Sequence, residues 1–431
     1  MNIVQIFKKT VNTHEKKTLF ENFVALSVLQ GANYILPLIT LPYLVRVLGP
    51  EKFGLVSFAQ AFTGYFQIMT NYGFNLSSTR EISIFRNDLK KISEIFSAVF
   101  IIQLLLLFLS FVLLSIIIII FAKFRADSLL YFFTFGIIIG NVLFPAWFFQ
   151  GVESMKYITV LNVIAKLIFT VAIFIFIRNQ SDYIYVALLN SLGFIIAGII
   201  ALWIIFYKFK IEFKIPHISM IKHQLTQGWY IFLSTVAISL YTISNTFILG
   251  LLTNNTIVGY YSGAEKIIKA IQGLMGPLNQ SIYPYMSKIA QESKEKLISF
   301  AQKLVAIIGI IGLIGSIMLY IVAGFIVKIL LGPQYYQSIL VLRILSFVPL
   351  IVALSNIFGI QVMLPLGFNK AFSNILVIAS LMNILLLLLF IPHYFHLGTA
   401  FSVVITELFV TITMYVYLVK KQIKLVSLKH V

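Results

Sequence analysis

The run "LLLLFLSFVLLSIIIIIFA" at 104–122 constrains this chain more than any other stretch. About 20 apolar residues as helix cross the hydrocarbon core of a bilayer, and nineteen uncharged residues in succession have few other uses. In lipid, a segment must satisfy its own backbone hydrogen bonds. That selects helices or closed barrels, and a barrel requires short alternating segments, which these runs are not. Runs of this kind recur along all 431 residues, of which 60% are hydrophobic and 11% charged. The sequence therefore predicts an all-α polytopic membrane protein.

Twelve spans are expected, at 19–45, 54–75, 95–122, 127–150, 157–178, 183–207, 227–252, 257–285, 300–328, 334–364, 371–391 and 398–419. They divide the chain into a basic N-terminal segment 1–18, a six-helix bundle 19–207, a linker 208–226, a second six-helix bundle 227–419 and a basic tail 420–431. The first span is too long for a signal-peptide core and reads as a retained anchor. The loops are short, and none has room for a soluble domain.

The formal net charge of +18 would suit nucleic acid if the charges shared a face. They are instead distributed among the loops. Twenty-two Lys and Arg fall on one side of the predicted topology and six on the other. Positive loops mark the cytoplasmic side, so both termini are expected there, with no nucleic-acid partner. The chain has no cysteine, which removes disulfides and thiolate metal sites.

An internal repeat runs through the spans. "GLVSFAQA" (54–61) aligns with "GYYSGAEK" (259–266), pairing Gly54 with Gly259 and Ser57 with Ser262. "MKYITVLNVIAKLIF" (155–169) resembles "NKAFSNILVIASLMN" (369–383). Six spans return the chain to its starting side, so the halves are expected to have parallel topology, related by a pseudo-twofold axis along the membrane normal around a central cavity.

"SGAEKIIKAIQG" (262–273) places Glu265, Lys266 and Lys269 inside a span. At about 100° per residue, Ser262, Glu265, Lys266, Lys269, Gln272, Asn279 and Gln280 share one side, and Ile267, Ile268 and Ile271 take the other. Span 2 repeats the stripe without charge, in Ser57, Gln60, Gln67 and Asn71. Span 1 adds Gln30 and Asn33, and span 7 adds Thr235, Ser239, Thr242 and Asn245. Intramembrane charges face a bundle interior or water. The remaining ones are Lys166, Arg343 and Glu407. Four cations against two anions give a net positive lumen, suited to an anionic substrate such as a diphosphate. Lys266, Lys269, Arg343 and Lys166 are the candidate ligands. Glu265 and Glu407 are candidates for ion coupling, since a carboxyl in a lumen can hold a proton. The structural alternatives stand beside these. Glu265 and Lys269 form an i, i+4 pair that can neutralise itself. Lys166 and Arg343 lie where they can snorkel to headgroups, and Glu407 can serve as a hydrogen-bonded packing residue. Pro37, Pro42, Pro277, Pro284 and Pro349 interrupt spans and mark candidate hinges.

No Gly-rich phosphate loop with its lysine is present, and no nucleophile–base spacing can be recovered, so no catalytic residue, cofactor or enzymatic activity is expected. His393 and His396 lack a third ligand nearby and read as interfacial rather than metal-binding.

The stretches "LPYLVRVLGPEKFG" (41–54) and "NYGFNLSSTREIS" (71–83), with "PAWFFQGVESMKYI" (145–158), resemble Wzx-type flippases, in the polysaccharide transport branch of the multidrug/oligosaccharidyl-lipid/polysaccharide exporter superfamily. The resemblance implies a protein that moves polyprenyl-diphosphate-linked oligosaccharide repeat units from the cytoplasmic to the periplasmic leaflet of the bacterial inner membrane, for O-antigen or capsule. It also implies a glycan polymerase and a chain-length regulator as pathway partners. Two other classes remain open: a small-molecule antiporter of the drug-exporter branch, disfavoured by a cationic lumen, and a membrane glycan polymerase or ligase, disfavoured by the short loops.

Overall fold

The structure is a computed structural model that describes residues 14–425, with side chains from Leu29 onward apart from a few positions inside helices. The expected terminal segments therefore lie partly outside the described residues, as does the side chain of Gln280. The helices are α1 (His14–Asn71), α2 (Phe74–Ile84), α3 (Leu89–Ile120), α4 (Ala122–Arg125), α5 (Ser128–Leu143), α6 (Ala146–Gly151), α7 (Met155–Phe176) and α8 (Tyr183–Tyr207). They continue as α9 (Ile218–Thr242), α10 (Ser244–Leu252), α11 (Asn255–Gly273), α12 (Gly276–Glu292), α13 (Lys294–Ile326), α14 (Ser338–Leu345), α15 (Val348–Asn356) and α16 (Asn369–Lys420). Each start has a local cause where a cap is visible. The side chains of Asp88, Asn254 and Ser293 accept from the backbone N–H of Lys91, Ile257 and Lys296.

Eight helical stretches among the described residues are long and apolar enough to cross a membrane. Two of them, Leu29–Ile84 and Asn369–Lys420, contain a break. In α16 the break is at Phe395 (φ 49°, ψ −125°), three residues after Pro392. A Cβ on Gly398 would lie 2.5 Å from the carbonyl oxygen of Phe390. Eight residues of straight helix rise about 12 Å, so the chain reverses there. The amide of Asn383 donating to Thr406 Oγ1 at 3.2 Å ties the two arms together. In α1 the break is at Gly49 (φ 68°, ψ 173°), a conformation that favours glycine, and Pro50 then opens the next helical turn. The twelve expected spans thus do not appear as twelve separate apolar helices. The regions expected as spans 7 and 8 are helical, but α9 to α12 are not among those eight: α10 and α12 are short, at 9 and 17 residues, and α11 carries polar side chains along its length.

Among the described residues the fold contains two compact units: 14–37, 63–177 and 184–235 in one, and 38–62, 178–183 and 236–425 in the other. In the first, α2 lies on α6. Thr79 Oγ1 donates to the Trp147 carbonyl at 3.1 Å, and a Cβ on Gly151 would meet Ile82 at 2.6 Å. Two of the motifs behind the family resemblance therefore touch. Trp147 and Phe96 lie in the core of this unit, and the Trp147 indole donates to Gln103 Oε1 at 3.3 Å. Gly140 and Gly198 bring α5 and α8 to backbone contact, since small residues let membrane helices approach closely. The extended linker after α8 is fastened to α3 by Glu212 N–H to Ser93 Oγ and Lys214 N–H to Ser97 Oγ. The opposite pattern marks the lipid surface: Phe108 in α3 is 69% exposed.

In the second unit, the hairpin 38–62 packs with the C-terminal helices. The Arg46 guanidinium donates to the carbonyl of Ile329, in the π-helical turn Val327–Leu331. The Gln334 amide donates to the carbonyls of Val45 and Arg46 at 2.9 and 3.3 Å. These are the carbonyls left open where the helix breaks at Gly49. Phe58 and Phe62 both stack on Phe247 of α10.

Candidate functional site

Helix α11 is the centre of the second unit. It lies against α10, α14, α15 and α16 and is enclosed on most sides. Ile267 and Ile268, expected on a face apart from the polar stripe, are buried as Ser262 is. The reason is that α11 is surrounded by other helices, so both its faces are interior.

Tyr261, Glu265, Ile268, Lys269 and Gln272 recur at helical spacing and line one cavity of about 100 Å³. Thr242 and Asn245 enter from α9 and α10, Leu345 and Val348 from α14 and α15, and Asn383, Val403, Thr406 and Glu407 from the two arms of α16. Cavities that hold drug-sized ligands run to roughly 300–1,000 Å³, so this one has room for waters or a small ion and not for a sugar.

The charges have specific partners. Glu265 accepts from Lys269 Nζ at 2.9 Å, with 13% and 57% of the two side chains exposed. Its other oxygen accepts from Thr246 Oγ1 at 3.3 Å. The i, i+4 pair therefore forms, and it forms inside the cavity wall. Glu407 has no basic partner among the described residues. Asn383 gives its amide to Thr406 while its Oδ1 is buried without a hydrogen bond. The cavity thus gathers two carboxylates and an open amide oxygen against one ammonium, a wall rich in acceptors.

The other predicted cations lie elsewhere. The Lys266 ammonium is 4.6 Å from the ring centroid of Phe53. The Arg343 guanidinium lies 5.5 Å from the ring of Tyr320, with its Nε buried and unbonded. Lys166 belongs to the first unit, where it donates to Asn33 Oδ1. Of the polar stripe, Gln272 lines the cavity, and Ser57 and Ser262 bury hydroxyls that have no partner among the described residues. Gln30, Gln60, Gln67 and Asn71 are partly buried. Asn279 takes part through its carbonyl, which accepts from Gln361 at 3.0 Å. Of the residues proposed from sequence, Glu265, Lys269, Gln272 and Glu407 come together, with Thr242 and Asn245 of the span 7 stripe.

Three lining residues carried no clear sequence signal: Tyr261, Asn383 and Thr406. Asn383 is a single amide in an otherwise apolar run, "SLMNILLLLLF". A buried amide without visible partners was the available clue. His396 stands 5.9 Å from the ring of Tyr260, and no group of three metal-ligating side chains occurs among the described residues.

A family model described as "Polysaccharide biosynthesis protein" matches residues 19–290. A protein of Escherichia coli strain K12 named as an O-antigen transporter is 35% identical over 407 residues, 94% of this chain and 98% of that one. A Shigella dysenteriae protein of the same name is 30% identical over 91% of this chain and 98% of its own. Among solved structures, an inward-facing multidrug resistance transporter of the MATE family superposes with a TM-score of 0.73 at 15% identity, over 90% of this chain and 94% of that one. The lipid II flippase MurJ in an inward closed conformation superposes with a TM-score of 0.71 at 15% identity, over 93% of this chain and 87% of that one. At that identity the likeness is one of fold.

Proposed function

The chain belongs to the family of polysaccharide biosynthesis proteins, and from that membership we propose that it flips polyprenyl-diphosphate-linked oligosaccharide repeat units across the membrane by alternating access. The observation that carries this is near full-length similarity to proteins named for O-antigen transport. The protein is a multi-pass membrane transporter rather than an enzyme, and the expectation of a polysaccharide transporter drawn from 41–54, 71–83 and 145–158 agrees with the family. The drug-antiporter reading has only the fold in its favour.

The finer reading runs as follows. The protein resides in the bacterial inner membrane with both termini cytoplasmic, because Lys and Arg concentrate on that side. Two bundles, 19–207 and 227–419, alternate about the linker 208–226. Lys266, Lys269, Arg343 and Lys166 attract the diphosphate, and the polar side chains of spans 1, 2, 7 and 8 accept the sugars. Lys269 is held by Glu265, so its share requires that pair to open. The cavity beside Glu265 and Glu407 takes a proton or a small monovalent cation, since it is too small for sugar and rich in acceptors. A polymerase and a chain-length regulator act next on the product.

The test is complementation of a strain that lacks its repeat-unit transporter. Surface polysaccharide is restored by the chain, and lipid-linked units accumulate on the cytoplasmic face without it. Restored drug resistance with no restored polysaccharide would favour the antiporter instead. The double variant Lys266→Ala/Lys269→Ala, present at normal amounts, is expected to abolish restoration. Full surface polysaccharide would remove these lysines from the site.

A further inference from the structure

We propose that Phe53 occupies the place of an anionic headgroup on Lys266, so that the ring and a diphosphate compete for one ammonium and binding the anion releases the hairpin 38–62. The identity of the ligand rests on the function proposed above; the competition rests on geometry within the second unit.

Lys266 follows Glu265 directly, yet the carboxylate is engaged by Lys269 and Thr246. A step of one residue turns a side chain about 100° around the helix, and that carries Lys266 to the hairpin. Among the described residues its ammonium has no hydrogen bond or ion pair. It rests on the face of Phe53, where the ring quadrupole attracts a cation. Phe53 is 2% exposed and meets Tyr335 edge-on at 6.3 Å. A half-buried lysine with a ring in place of an anion is incompletely compensated. A diphosphate brings full negative charge and several acceptors, and so interacts more strongly than a quadrupole.

The ring cannot leave alone. Gly54, the next residue, packs on α11 so closely that a Cβ would lie 1.9 Å from the Asn255 carbonyl oxygen. A Cβ on Gly259 would lie 2.0 Å from that of Pro50. Removing Phe53 from Lys266 therefore moves the helix turn that carries it, and exchange of the ammonium's partner becomes movement of the hairpin. Phe53 is in this sense a positioning residue for transport.

The chain has no cysteine, so Ser57→Cys supplies a single thiol. Ser57 lies one turn beyond Gly54 and is 5% exposed. The full-length protein in detergent is labelled with a maleimide, with and without inorganic pyrophosphate. Labelling of S57C is expected to be slow and to accelerate about tenfold with pyrophosphate, as a population shift of that size requires. S57C with Phe53→Leu labels fast and ignores pyrophosphate, while S57C with Phe53→Tyr keeps both behaviours. S57C with Lys266→Met also loses the response. The proposal is overturned if pyrophosphate slows labelling or leaves S57C unchanged, or if the response survives in the Lys266→Met protein. That last arm decides the matter even where Phe53→Leu fails to accumulate. A pyrophosphate response in S57C, with no restoration of surface polysaccharide by the unsubstituted chain, would refute the transport reading and leave the competition standing. Restoration without any response would do the reverse.

Discussion

Gly54 and Gly259 meet backbone to backbone: a Cβ on Gly54 would lie 2.5 Å from the Gly259 nitrogen. The contacts around them are reciprocal. Gly54 faces the Asn255 carbonyl and Gly259 faces the Pro50 carbonyl, and both Pro50–Asn255 and Gly54–Gly259 are separated by 205 residues. Reciprocity of this kind is what a two-fold relation between repeats requires. The two glycines aligned by the internal repeat are the two that touch.

Neither glycine tolerates a side chain, because the atoms in the way are backbone. Gly54→Ala and Gly259→Ala are each expected to destabilise the protein by about 1–3 kcal/mol or more, as forced overpacking does, and to abolish restoration of surface polysaccharide. Gly315→Ala is the control. Nothing lies within 4 Å of its added Cβ, so it should be neutral or stabilise helix α13 by about 0.5–1 kcal/mol. Thermal unfolding in detergent measures both. A Gly54→Ala protein that unfolds as the wild type does would contradict the packing.

Glu407→Gln keeps the size of the side chain and removes its charge from the acceptor-rich cavity. Transport assayed in vesicles is expected to lose its dependence on an imposed proton or sodium gradient, with protein amounts unchanged. Glu265→Gln should do the same and also free Lys269. A gradient dependence unaltered in both variants would place coupling elsewhere.

The Glu265–Lys269 pair is expected to matter more for transport than for stability. Lys269 is 57% exposed, and the 13% exposed Glu265 keeps the Thr246 hydroxyl as a donor when Lys269 is removed, so the pair should be worth little more than the about 0.3–0.5 kcal/mol of exposed i, i+4 pairs. Lys269→Met should leave the unfolding temperature within a degree or two, on the order of what that energy shifts, while lowering transport. A large loss of stability would show that the pair is structural.

Trp147→Phe removes the pyrrole half of the indole and one hydrogen bond, leaving a small core cavity and Gln103 Oε1 buried without its donor. An orphaned buried acceptor costs about 1–3 kcal/mol. Unfolding should shift accordingly, with surface polysaccharide retained at permissive temperature. Gln103→Leu in the same background removes the orphan and should recover part of the loss.

Much of this was legible in residues that act locally. The break at Gly49 and the turn at Pro50 are written in "LGPEK", because only certain residues accept that backbone. The Glu265–Lys269 pair follows from spacing along one helix. The partners of Lys266, Arg343 and Lys166 were not legible. Each is a residue on another helix: Phe53, Tyr320 and Asn33. A cationic lumen was the expectation from counting charges, whereas two of these four cations rest on aromatic rings and one on an amide. A helical wheel gives direction around an axis and says nothing of what stands opposite.

By itself the sequence determined the solvent, the secondary structure and the family. Long apolar runs admit only self-satisfied helices in lipid, and the motifs at 41–54, 71–83 and 145–158 carry the resemblance that the family match bears out. Only the tertiary structure decided that residues 38–62 pack with the C-terminal helices, and that Glu265 and Glu407, 142 positions apart, line one small cavity with Asn383. Hydrophobic periodicity is a property of one helix, but the partner a buried charge takes depends on how several helices pack around it.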